Sequence, residues 1–505
     1  MKLETMKAAR AAEETLDPQD WDEIEETGQQ MLGEMMEYLK NISSKPVWKK
    51  VPEELKEEFN QGLPDDPQPL AEVYKEFKES ILPYSLGNTH PRFWSWAIGS
   101  GTVQGMLAEM LAAGMNSNVG IGDQSPMYVE KQVVNWCKEL IGFPAESSGT
   151  LVNGASAANL NALITARNSM SDYIRIRGIQ IYSGKLVMYA SSETHSSIQK
   201  AAEIIGIGSE AVRKVNVNDN YEMDVQHLDE LVRKDKLIGN IPFCVVANVG
   251  TVNTGAIDPL QEIFMVCLKY NLWFHIDGAF GALAKLLPEY SEKLLAMELA
   301  DSIAFDLHKW MHVPYETGVV LVKNINKHRQ AFAHRPDYVL HHDRGIAAGP
   351  EPPFDFGLDM SRGFKALKVW MTLKEHGIKK FRRMIRQNIR QAKYLEQLVM
   401  AEPSLELMAP VALNIVCFRY NPGMMMKGEL SELNKEILMR LHESGLVAPS
   451  YTKLKQEYCL RVAIVNHRSK AKDFELLVSE VLRIAELVQK ERSFSYYEMK
   501  SRVAS

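Results

Sequence analysis

The spacing of apolar residues changes character along this chain. Trp21, Ile24, Leu32, Met35, Met36 and Leu39 recur at helical spacing, with acidic residues between them. That period predicts an amphipathic helix. Pro64, Pro67 and Pro69 break the pattern before a second helix predicted over about Leu70 to Ile81. No strand pattern occurs in residues 1–90. This segment is expected to be helical, to lack a core of its own, and to pack on something else, such as a second subunit.

From about residue 91 to 375 helices alternate with short apolar runs: KLVMYAS (185–191), FCVVANVG (243–250), LWFHIDG (272–278) and GVVLVK (318–323). SIAFDLH, ending at His308, is another apparent strand. Continuous apolar runs of this length suit strands covered on both faces, as in a mainly parallel sheet. Between two of them, Asp258 is a good N-cap, Pro259 fits a first helical turn and Asn271 can close the helix. The resulting βαβ unit predicts an α/β fold. After Trp370 comes a basic helical stretch, then the runs LNIVCFRY (413–420) and YCLRVAIV (458–465), then a last helix. A smaller α+β domain over 376–505 is expected. Residues 328–358 show no clean period and are rich in Pro, Gly, His and Asp, which predicts a functional loop, an active-site lid.

Composition narrows the classes. The chain has 505 residues, 46% of them hydrophobic, enough for more than one core. A net charge of −6 with scattered Lys and Arg argues against nucleic acid or an anionic membrane as partner. The five cysteines are far apart and form no CxxC, so reduced buried thiols are expected and no metal site. The N-terminus has no signal-peptide character and no apolar run approaches about 20 residues. A cytoplasmic protein is expected.

Chemistry concentrates at strand ends, where α/β sheets build ligand sites. In VNGASAANLNALITARN, Gly154, Ala155 and Ser156 leave room for an anion at a helix start; an ordinary serine cap is the bland alternative. His195, in SSETHSS, follows a strand, and its ring can stack on a planar ligand. Asp277 ends a buried strand and needs a partner. Lys309, in DLHKW, can serve as an amine nucleophile. Other chemistries fail: there is no GK[ST], no HExxH and no GxSxG. Pyridoxal phosphate uses all of these features, having an aldehyde for lysine, a phosphate for a helix start, a flat ring, and a ring nitrogen that favours an acidic partner.

The spacing HIDGAFGA…ADSIAFDLHKW resembles the group II pyridoxal-phosphate-dependent amino acid decarboxylases, which act on aromatic amino acids, histidine or glutamate. The resemblance extends through NTHPRFW, SPMYVEKQVVNW, GASAANLNALITAR, THSS, GTVNTGAIDP, SRGFKALKVWMTL and LRVAI. It implies the aspartate-aminotransferase fold type I, with an N-terminal helical dimerisation segment (1–90), a large cofactor-binding domain (91–375) and a small C-terminal domain (376–505). By position, it implies that Lys309 forms the Schiff base and Asp277 faces the pyridine nitrogen. His195 and Ala279 would take the two ring faces. Ala155 and Ser156 would bind the phosphate, with Asp306 and His308 in the cofactor-binding set. Ser361 would reach the phosphate from a second subunit of a homodimer. Tyr338 matches the loop tyrosine that protonates carbon after CO2 leaves. The family often has threonine where this chain has Val252, which leaves Thr251 as a weak cofactor candidate.

For the substrate, Trp94 and Trp96 make the HPRFWSWAIG region aromatic, Asn118 matches another pocket position, and Phe354 is expected to close over the site. An aromatic amino acid is the expected substrate. The alternatives are an acidic or other non-aromatic amino acid, an aromatic aldehyde synthase, which Tyr338 disfavours, and a non-catalytic scaffold.

Overall fold

The computed structural model describes residues 14–335 and 342–503. The chain divides between Gly87 and Asn88 into two compact units. In the first, helices span Trp21–Lys40, Glu53–Glu58 and Leu70–Glu76, and the last continues through a wider turn, Phe77–Ile81. Asp20 accepts the N–H groups of Asp22 and Glu23 and so caps donors that a helix start leaves unpaired. Tyr74 donates to Glu34 at 2.9 Å, and Lys78 lies 3.0 Å from the same carboxylate. These contacts tie the third helix to the first. Trp21, Leu32, Val73 and Ile81 stay exposed, and no strand occurs among residues 14–87.

The second unit holds two sheets. The strands are β1 (Phe93–Trp94), β2 (Ser148–Val152), β3 (Leu186–Ser191), β4 (Val212–Val215), β5 (Ile241–Asn248), β6 (Trp273–Asp277), β7 (Ser302–Asp306), β8 (Gly318–Val322), β9 (Leu405–Leu407), β10 (Ile415–Tyr420), β11 (Ala448–Leu454) and β12 (Glu457–Ala463). The seven-stranded sheet has the order β2-β8-β7-β6-β5-β3-β4. Its strands from β7 through β4 are parallel, whereas β8 is antiparallel to both β2 and β7. From sequence, residues 318–323 are expected in the parallel set. They are buried throughout, but burial reports coverage of both faces and not direction. The connection sets direction. Leu307–Thr317 is too short for the crossover that parallel neighbours require, about a dozen residues or more, so the chain turns back.

The five-stranded sheet has the order β1-β11-β12-β10-β9. Trp94 is fully buried in its core, stacked on Phe474 at 5.0 Å, and so is not a pocket residue. The helix Lys365–Ala401 runs from the large sheet towards the small one and bends at Gly377, where φ is +65°.

The helix after β5 spans Leu260–Tyr270 and ends at Asn271 in the left-handed region, as its sequence predicts. Its start differs. Pro259 holds the cap position, and the Asp258 carboxylate instead accepts the Met223 N–H at 2.8 Å and the Asn248 N–H at 2.7 Å. Asp258 thus fastens the end of β5, and burial pushes its carboxyl up to about 6.

Within the irregular 328–358 stretch, a helix covers Ile325–Phe332 and a single turn covers Pro353–Phe356. Residues 336–341, including Tyr338, lie outside the described residues. All five cysteines are free and buried. No described helix is long and apolar enough to cross a membrane, and the described residues hold no cluster fit for a metal ion.

Two fully buried histidines make stability acid-sensitive. Burial pushes His275 down to about 4 and His328 to about 3. Both are neutral in the fold, while the unfolded chain takes up protons below about pH 6.5. Their contribution is therefore intact above pH 6.5 and is lost as pH falls towards 4. At pH 5 each costs about 2 kcal/mol, at roughly 1.36 kcal/mol per unit. Urea midpoints measured at pH 7.5 and pH 5 should show this loss. A midpoint independent of pH would contradict it.

Candidate active site

The sequence-predicted groups converge on one cavity of about 450 Å³ at the C-terminal ends of β5, β6 and β7. Gly154 starts the helix Ala155–Asn168 with φ +86°, and no side chain caps that helix. A Cβ at Gly154 would stand 3.3 Å from His308 Cε1 and 3.8 Å from Asp306 Oδ1. Glycine therefore keeps this corner open, and the first amide groups of the helix have no side-chain acceptor. Ala155 is buried and Ser156 is exposed beside it. An uncapped helix start next to an open corner suits a phosphate.

Asp277 ends β6 in register with Asn248 of β5 and Ala304 of β7. Its Oδ1 accepts the Ala279 N–H at 3.1 Å, and its Oδ2 accepts from Asn159 Nδ2 at 2.9 Å. It is 5% exposed and forms no ion pair among the described residues. A buried carboxylate without a cation is costly unless a positive group completes it. The protonated ring nitrogen of pyridoxal phosphate is such a group.

Lys309 does not pair with Asp277. Its Nζ lies 3.1 Å from Asp306 Oδ2, and His308 Nε2 is 3.5 Å from the same oxygen. Asp306 Oδ1 is buried without a hydrogen-bond partner among the described residues. Thr317 donates its N–H to His308 Nδ1 at 3.1 Å, and the His308 ring lies 4.3 Å from that of Tyr315. Burial lowers the pKa of His308. The loop before the helix Val103–Met115 presses on this segment. A Cβ on Gly99 would fall 2.1 Å from the His308 carbonyl oxygen, so only glycine permits the approach that brings Trp96 and Ile98 to the cavity.

His195 caps the helix Ser196–Ile204 and accepts the Ser197 N–H at 3.1 Å. Its ring lines the cavity, with Asp277, Lys309 and Asp306 as the charges nearest to it, and burial lowers its pKa. Ala279 lines the cavity as well.

Other expected residues lie elsewhere. The Thr251 hydroxyl accepts the Ala256 N–H and meets Thr254 at 3.0 Å, so it is spent on its own loop; Val252 reaches the cavity instead. Asn118 Oδ1 accepts the N–H groups of Gly120 and Arg362, each at 3.0 Å, and does not line the cavity. Arg362 is buried against Glu130, which leaves Ser361 exposed and away from the cavity. Phe354 is buried in the turn Pro353–Phe356 and does not line the cavity either.

Cavity residues without a sequence signal include Asn159, Ser197, Asn248, Tyr315 and Arg461. Asn159 sits one helical turn after Ala155, a spacing that could have flagged it. Arg461 Nη2 donates to the Val252 carbonyl at 2.6 Å and Nε to the Asn253 carbonyl at 3.1 Å. It joins β12 to the loop that presents Val252.

The pyridoxal-dependent decarboxylase conserved domain matches residues 52–421. Tryptophan decarboxylase 2 of Oryza sativa subsp. japonica is 31% identical over 477 residues, covering 92% of this chain and 94% of that protein. Aromatic-L-amino-acid decarboxylase of Bacillus atrophaeus is 29% identical over 474 residues, covering 92% and 96%. The crystal structure of Oryza sativa TDC with PLP and tryptamine superposes with a TM-score of 0.87 at 23% identity, covering 94% of this chain and all of that one. With the uncapped helix start, the unpaired Asp277 and Lys309 all on one cavity, this chain belongs to the pyridoxal-dependent decarboxylases, and it is a pyridoxal 5'-phosphate-dependent amino acid decarboxylase.

Proposed function

We propose that the chain removes CO2 from an aromatic L-amino acid (tryptophan, tyrosine, phenylalanine or DOPA) and releases the amine. The observation that carries this reading is the apolar part of the cavity wall. Trp96, Ile98 and Val252 line the same cavity as Lys309, and Trp96 is 53% exposed and free to meet a ligand. Stacking on an aromatic ring contributes about 0.5–1.5 kcal/mol beyond burial. The names of the aromatic and tryptophan decarboxylases among the relatives support it. One observation favours a second reading, an acidic substrate. The buried Arg461 guanidinium lines the cavity and has no carboxylate partner among the described residues. Incubation of the purified protein with a panel of amino acids and mass detection of the amines separates the two. Turnover of glutamate, aspartate or cysteine sulfinate alone would overturn the aromatic reading.

The cavity geometry supports the following roles, with Tyr338 assigned from sequence. When bound, pyridoxal phosphate supplies an aldehyde carbon that captures amines and a ring that accepts the electron pair released with CO2. The helix start at Ala155 and Ser156 binds its phosphate. His195 and Ala279 confine the ring, and Asp277 holds the ring nitrogen proton. Lys309 would hold the aldehyde carbon covalently. Asp306 and His308 hold Lys309 in place between turnovers. Tyr338, placed by its sequence position alone, delivers the proton to Cα. Tyr338→Phe is expected to shift products from amine towards aldehyde, ammonia and peroxide, measured by coupled product assays; an unchanged amine yield would count against this role.

A homodimer fits this reading. Ser361 does not line its own cavity and is available to a neighbouring subunit, and Met110, Leu111 and Met115 expose an apolar ridge on the helix Val103–Met115. Sedimentation of the purified protein at twice the chain mass is the expected result.

A further inference from the structure

Behind Asp277 lies a buried series of hydrogen bonds whose directions follow from donor and acceptor chemistry. Trp273 Nε1–H can only donate, and it lies 2.8 Å from Ser302 Oγ. Ser302 Oγ lies 2.9 Å from His275 Nδ1 and can donate its own proton there, the direction that the Asn159–Asp277 end requires. His275 is fully buried, and burial pushes its pKa down to about 4, so the ring is neutral. With Nδ1 accepting, the single ring proton sits on Nε2, 2.9 Å from Asn159 Oδ1. Asn159 therefore turns Nδ2 towards Asp277 Oδ2 at 2.9 Å and Ser197 Oγ at 3.1 Å. A flipped amide would set its oxygen against the carboxylate, acceptor on acceptor. The branch through Ser197 continues to His195 Nδ1 at 2.9 Å.

The same helix carries an internal counterpart. His328 lies 2.9 Å from Ser148 Oγ and 2.9 Å from Asn161 Oδ1. There the amide ends on a backbone carbonyl, Phe356 O, at 2.7 Å. One Ser–His–Asn series thus stops at the backbone, and the other stops at the carboxylate in the cavity.

We propose that Trp273, Ser302, His275 and Asn159 form a one-directional positioning relay that fixes the orientation of Asp277 for the cofactor ring nitrogen, and that Asn159 links it to His195. This rests on the role proposed above for Asp277. Trp273, Ser302 and His275 do not line the cavity, and Asn159 alone reaches it. They act through Asn159, whose Nδ2 donates to Asp277 Oδ2 and fixes where that oxygen lies.

The test has two readouts besides turnover. In holoenzyme labelled with 15N-histidine, His275 is assigned by the signals lost in His275→Gln. It should be neutral with the proton on Nε2 from about pH 6 to 8. A proton on Nδ1, or a charged ring, overturns the relay without any need for a folded variant. Second, the dissociation constant for pyridoxal phosphate is measured by dialysis of the full-length protein. Asn159→Leu should raise it at least tenfold. Asn161→Leu, the control, should lower the melting temperature yet leave the constant within twofold. Equal effects from the two, or none from Asn159→Leu, overturn the proposal. Asp277→Ala separates the two layers. If it also leaves the constant unchanged, the role of Asp277 itself falls; if it alone weakens binding, only the relay does.

Discussion

Lys309→Ala is expected to lose amine formation by about 10³-fold or more. On the reading proposed above, the substitution removes the amine nucleophile that would anchor the cofactor, and losing a side chain that acts on the reacting centre is worth about 10²–10⁴-fold. The helix start at Ala155 and the Asp277 carboxylate remain, so the variant should still take up pyridoxal phosphate, but without the covalent link. Wild-type protein treated with borohydride should retain the cofactor through denaturation, and the variant should release it. The structure makes a competing outcome explicit. Lys309 Nζ is the cation 3.1 Å from the buried Asp306. If that ion pair were its whole purpose, the variant would lose melting temperature and keep its turnover. The ion pair is lost on either reading, so turnover and cofactor retention, not melting temperature, decide between them.

Asp277→Asn carries the second large effect. The change is nearly isosteric, and the single asparagine oxygen can keep one of the two hydrogen bonds, from Asn159 or from the Ala279 N–H, which the carboxylate accepts on separate oxygens. What is lost is the negative charge facing the ring nitrogen. Breaking a buried charge pair costs about 3–5 kcal/mol, which corresponds to roughly 10²–10⁴-fold in rate. Turnover should fall by that order, and cofactor affinity should fall with it. Single-turnover kinetics with saturating cofactor separate the two losses. A variant that reaches wild-type rate once saturated would show that Asp277 only binds.

Much of this was legible in the sequence, for a physical reason. Apolar runs mark strands covered on both faces, so β3, β5, β6, β7 and β8 stand out, and their C-terminal ends carry His195, Asp277 and Lys309. Strand β4, VRKV, is masked by its charged middle, and β2, SGTLV, by its small residues. Direction was not legible for β8, since it depends on the length of a connection. The periphery of the site was less visible still. Asn159 and Arg461 act through partners distant in sequence, Asp277 in one case and the Val252 carbonyl in the other. Position alone also misplaces groups. The Thr251 hydroxyl is taken by the backbone of its own loop and the Asn118 oxygen by Gly120 and the distant Arg362 N–H, and no local pattern reports that competition.

The return of the chain through β8 has a consequence for the chemistry of Lys309. Its loop is pinned at both ends: the Asp306 N–H donates to the Ala279 carbonyl at 2.9 Å, and the Leu307 N–H donates to the Thr317 carbonyl at 3.0 Å. Both flanking strands are interior to the sheet. The amine therefore travels on side-chain rotation alone, over a main chain held as firmly as the core. On the reading proposed above, Lys309 would be an amine tethered within a side chain's length of the cofactor, at an effective concentration that free substrate cannot match. Amide hydrogens of Asp306 and Leu307 should accordingly be among the slowest to exchange with solvent in the entire protein, although they border its most reactive group.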